Sequence, residues 1–83
     1  MIKQVIRLFP GFQYGLRRDT IIKPQHLVGQ IDGIVTVEDA KQLIASLVTE
    51  GYLKYKQSVP SKIGQTMAGW ILSDKGWQVY SNM

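Results

Sequence analysis

The clearest hydrophobic pattern lies between positions 36 and 50, where Val37, Ala40, Leu43, Ile44, Leu47 and Val48 recur at helical spacing and form one apolar stripe. Thr36 followed three residues later by Asp39 makes a capping box with Asp in place of Glu, and Glu38 and Asp39 suit the positive end of a helix. Gly51 predicts the stop: it can turn left-handed after the last turn while Tyr52 folds back toward Leu47. Before this helix, Pro24 suits a first helical position, and His26, Leu27, Val28 and Ile31 supply apolar contacts for a short helix ending near Gln30. Gly33 then turns the chain into Thr36.

After Gly51 the period changes. Leu53 and Tyr55 alternate with Tyr52, Lys54 and Lys56, which predicts a strand with a packed face and a wet face. Trp70 and Leu72 alternate around Ile71 and predict a second strand from Ala68 to Leu72. Residues 58 to 67 between them are polar, include Pro60 and Gly64, and read as a mobile loop too long for a tight hairpin. Ser73 is an N-cap for a short last helix anchored by Trp77 and Tyr80. Toward the amino terminus, Ile2, Val5, Ile6 and Phe9 predict a helix stopped by Pro10-Gly11. Phe12, Tyr14 and Leu16 alternate as a strand would, residues 17 to 19 suit a turn, and Thr20 to Ile22 suit a short strand beside that hairpin. The fold class expected is α+β: a single domain over residues 1 to 83, with helices packed on a short antiparallel sheet.

Composition sharpens this picture. Hydrophobic residues make up 45% of the 83 residues and charged residues 19%, a balance for a compact globule. Cysteine is absent, which removes disulfides and thiolate metal sites; with short apolar runs and no secretory signal, the chain reads as cytoplasmic. His26 is the single histidine, the glycines fit no phosphate-binding loop, and neither a catalytic triad nor a metal or cofactor site is expected. Ten Lys and Arg against six Asp and Glu leave a net charge of +4, which favours an anionic partner.

The order of helix, glycine turn, capped helix, Glu50-Gly51-Tyr52-Leu53, strand, polar loop and Trp70-Ile71-Leu72-Ser73-Asp74-Lys75-Gly76 resembles the winged helix-turn-helix family over about residues 20 to 80. In that family, the resemblance implies, Leu47 to Leu53 close the second helix and open the wing, and Leu72 to Gly76 lead out of it. The stretch from Glu38-Asp39-Ala40 to Gly51-Tyr52-Leu53 is also similar to DEP domains, winged-helix relatives that bind proteins or membranes.

For a DNA-binding member the resemblance implies that the helix from Thr36 faces duplex DNA, with Gln42 and Ser46 as base-reading candidates and Lys41 at the flank. Its outward face has no Arg, and Glu38 and Asp39 oppose deep groove insertion. Lys54, Lys56 and Lys62 of the wing, with Arg17, Arg18 and Lys23, are the phosphate-contact candidates, so wing-led binding is the preferred mode. A solvated, capped helix face and lysines that keep an edge strand soluble explain the same residues without a ligand. The alternative function is a protein interaction module, an accessory or inhibitor protein of the kind phages and mobile elements encode. Phe12 and Tyr14 are then its candidate partner surface, and a homodimer is compatible with either function. Trp70 and Trp77 are expected in the core.

Overall fold

A computed structural model describes residues 1–60 and 66–83. The architecture is α+β: helices α1 (Ile2–Arg7), α2 (Val37–Thr49) and α3 (Asp74–Ser81) pack with an antiparallel pair of strands, β1 (Leu53–Pro60) and β2 (Thr66–Leu72). No helix among the described residues is long and apolar enough to cross a membrane.

Helix α2 forms where its periodicity requires, and both ends close as the sequence implies. The Thr36 hydroxyl accepts from the Asp39 N–H at 3.2 Å, and Asp39 Oδ2 accepts from the N–H groups of Thr36 (3.1 Å) and Val35 (3.2 Å). At the other end Gly51 takes φ +89°, the Gly51 N–H donates to the Val48 carbonyl (3.0 Å), and the Tyr52 N–H donates to the Leu47 carbonyl (2.9 Å). That crossed pair satisfies two carbonyls of the last turn and reverses the chain into β1. Ala40, Ile44 and Leu47 of α2 are buried with Val5, Ile6 and Phe9 of the amino-terminal segment, Ile22, Leu27 and Ile31 of the connecting segment, and Leu53 and Leu72 of the strands. Val37 and Val48 lie at the rim and stay partly exposed.

Three expected elements change form. The alternation at Phe12, Tyr14 and Leu16 is not a strand: Phe12–Tyr14 is a 3-10 turn bracketed by Gly11 at φ +80° and Gly15 at φ +95°. Alternation over three positions cannot outweigh two positive-φ glycines, because each reverses the chain before a ladder can form. The helix expected from Pro24 to Gln30 is a 3-10 turn at Pro24–His26. Beyond it Gly29, at φ +75°, leaves the helical path, and its N–H donates to the Ile34 carbonyl at 2.9 Å. The loop expected over 58 to 67 is shorter, since β1 runs to Pro60 and β2 begins at Thr66; what remains of it, 61–65, lies outside the described residues.

Leu53 pairs with Leu72, Lys54 with Ile71, Tyr55 with Trp70 and Lys56 with Gly69; the register then shifts, and Val59 pairs with Met67. An extra residue on β1 across that shift is a bulge, which increases the local twist as the hairpin leaves the core. The short strand expected at Thr20 to Ile22 contracts to one bridge on the free side of β2, with Ile22 and Trp70 exchanging N–H···O bonds of 2.8 and 3.1 Å. The turn expected before it is present: the Thr20 N–H donates to the Arg17 carbonyl at 3.1 Å.

Gly51-Tyr52 and Ser73 to Gly76 meet in one joint. The Ser73 N–H donates to the Tyr52 carbonyl (3.0 Å), the Ser73 hydroxyl donates to the Gly51 carbonyl and accepts from the Gly76 N–H (3.3 Å), and Lys75 Nζ donates to the Glu50 carbonyl at 2.9 Å. Lys75 Nζ also lies 4.4 Å from the centre of the Tyr52 ring, so one cation serves both the negative end of α2 and an aromatic face.

Candidate nucleic-acid interface

The outward face of α2 carries Glu38, Lys41, Gln42, Ala45, Ser46 and Thr49, all exposed. Gln42 and Ser46, one turn apart, share a line along the helix, whereas Lys41 lies about 100° round the helix from Gln42. Lys41 Nζ is 3.5 Å from Glu38 Oε1, so the cation and the carboxylate partly cancel on the flank of the face expected to meet DNA. The amino-terminal turn of α2 stays acidic. The hydrogen bonds from the Thr36 and Val35 N–H groups hold the Asp39 carboxyl below its ordinary value of 3.8.

A testable consequence follows from the sign of that shift. A carboxylate with a depressed folded-state pKa stabilises the fold above its unfolded pKa, and that contribution is lost as pH falls through the folded pKa. Replacing Asp39 with Asn is therefore expected to lower the thermal midpoint at neutral pH and to flatten its decline below about pH 4. Parallel melting curves for the two proteins from neutral to acid pH check this; parallel declines would refute the cap's role.

Lys54 and Lys56 are exposed on β1. Because Leu53 is buried in the core, strand alternation puts both lysines on the opposite, outer face of the sheet, level with Ile71 and Gly69. At Gly69 the chain at Ile21 and Ile22 packs closely over that face, since a Cβ there would come within 3.1 Å of the Ile21 side chain and of the Ile22 carbonyl. From Gly51 to Ser73 the sequence contains Lys54, Lys56 and Lys62 and no acidic residue. The hairpin is thus cationic with no carboxylate of its own, as is the segment 1–18 with Lys3, Arg7, Arg17 and Arg18; Lys62 lies outside the described residues.

The remaining cations are divided. Arg17 is exposed in the turn before Thr20. Arg18 is drawn away to α3, its guanidinium 4.5 Å from the centre of the Trp77 ring and 3.8 Å from Asp74 Oδ1. Lys23 is half-buried where the chain enters the Pro24 turn, and its N–H donates to His26 Nδ1 at 3.0 Å. The expected constellation therefore separates into a polar helix line at Gln42 and Ser46, an outer sheet face at Lys54 and Lys56, and an Arg18 cluster on α3.

The partner-surface pair separates as well. Phe12 is half-buried, edge-on to Tyr80 at 6.1 Å, and the Tyr80 hydroxyl accepts from the Leu16 N–H at 3.2 Å. Tyr14 is 91% exposed at the tip of its turn. Trp70 and Trp77 both pack against the core while remaining half-buried.

Sequence reasoning misplaced Tyr55. Alternation puts it on the same face as buried Leu53, yet it is 53% exposed. Its ring meets Trp70 edge-on at 5.2 Å, which leaves a ring surface open. The signal was the Lys-Tyr-Lys run itself, an aromatic between cations beyond the last core position. Comparisons with protein-family models, curated proteins and solved structures found no match.

Proposed function

We propose that the protein is a small DNA-binding regulator of the winged-helix type, which grips duplex DNA mainly through its hairpin. The observation that carries this reading is the hairpin's charge: three lysines and no carboxylate between Glu50 and Asp74, with Lys54 and Lys56 exposed side by side. The succession of the Pro24 turn, α2, β1 and β2 supports the winged-helix assignment. Phosphate contacts by lysine supply affinity without base readout. The exposed line of Gln42 and Ser46 is the part of α2 chemically suited to base edges, and the Glu38–Lys41 pair keeps the approach of that helix shallow.

Titration of a duplex at several salt concentrations tests the proposal. Binding should weaken steeply with salt, and neutralising Lys54 and Lys56 together should reduce the slope of log K against log salt by about 2, at roughly 0.9 per phosphate contact. Thermal melting of the variant controls for folding. Undetectable binding at low salt would transfer the assignment to a protein interaction module.

A further inference from the structure

The structure points to Tyr55 as a stacking site for an unpaired nucleobase, an inference that rests on the nucleic-acid reading and names the form of nucleic acid the hairpin grips best. Among the described residues β1 pairs only with β2, so its other edge is open. Along that edge, Lys54 and Lys56 project to the outer face and Tyr55 to the opposite one. Two strand residues span about 6.6 Å. That length is close to the separation of neighbouring phosphates along a nucleic-acid strand.

A nucleotide chain lying along the open edge of β1 would meet both lysines with its phosphates and could turn a base over the edge onto the Tyr55 ring. The Trp70 ring is inclined 61° to the Tyr55 ring with centroids 5.2 Å apart, so it contacts the tyrosine without stacking flat on it. Tyr55 is 53% exposed and lies in a segment free of carboxylates. A base inside an intact duplex has both faces occupied by its neighbours, so the ring is complementary to a base that has left the stack. The hairpin is then a grip for DNA that is locally opened, with lysines supplying the salt-dependent part of affinity and Tyr55 a salt-independent part.

The test compares a short blunt duplex with the same duplex carrying an internal run of unpaired thymines, for the full chain and its Tyr55→Leu and Tyr55→Phe variants. The opened probe is expected to bind about five-fold to about a hundred-fold more tightly than the blunt one, the range for one stacked base. Tyr55→Phe should keep that preference and Tyr55→Leu should erase it, with the salt slope unchanged in both. Equal affinity of the unaltered protein for the two probes, or a preference that survives in Tyr55→Leu, overturns the inference while duplex binding stands. Binding to neither probe removes the nucleic-acid reading itself. The preference of the unaltered protein is decisive even where a variant is too unstable to assay.

Discussion

Gly76→Ala is expected to destabilise the protein by about 1–3 kcal/mol, the usual cost of forcing extra volume into a packed site. The position is in the first turn of α3, where Ala would ordinarily be better than Gly by up to about 1 kcal/mol. The sign of the measured change is therefore informative in itself. A Cβ on Gly76 would lie 2.4 Å from the Tyr52 carbonyl oxygen and 2.8 Å from Leu72 Cδ2. The carbonyl cannot step aside cheaply, because it accepts from the Ser73 N–H and stands between the last turn of α2 and the start of β1. For a domain of this size each kcal/mol lowers the thermal midpoint by about 4–8 °C, so a fall on the order of 10 °C is the expected reading. A rise in the midpoint would mean that α3 does not sit against Tyr52 as described.

Ile44→Ala is expected to have the largest effect of any single truncation on α2, about 2–5 kcal/mol. Ile44 is 1% exposed and belongs to the buried cluster that also holds Leu27, Leu47 and Leu53. Total stability for 83 residues is on the order of 4–12 kcal/mol at typical values per residue, so this change removes a large share of it. Urea denaturation should show the midpoint moving sharply lower with little change in slope. Ser46→Ala, on the outward line of the same helix, is expected to stay within about 0.5 kcal/mol and provides the contrast. Similar costs at both positions would show that the stripe does not define the inner face of α2.

The two changes probe different kinds of information. Ile44 could be named as core from spacing alone, because six apolar residues at helical intervals between a Thr36 cap and a Gly51 stop form one stripe, and Ile44 lies near its middle while Val37 and Val48 mark its rim. Gly76 could be named only as part of a familiar run. Its reason is a close approach between segments more than twenty residues apart, and no local pattern encodes a distance of that kind. Arg18 makes the same point for the site: its formal charge marked it as a phosphate contact, but the fold gives it Trp77 and Asp74 as neighbours. Charge is a property of a residue, whereas availability of that charge depends on what else reaches it.

What the chain by itself determined was whatever rests on short-range physics: the capped α2 with its left-handed exit, the paired strands after it, the Ser73 start of α3 and the α+β class. Tertiary structure alone decided that Tyr55 is open while Leu53, on the same face of β1, is buried. It also decided that Arg18 sits against Trp77 and Asp74 of α3, and that Gly76 lies close against the Tyr52 carbonyl. Periodicity reports which positions share a side of an element; how far the neighbouring element extends over that side is set only when the two are packed together.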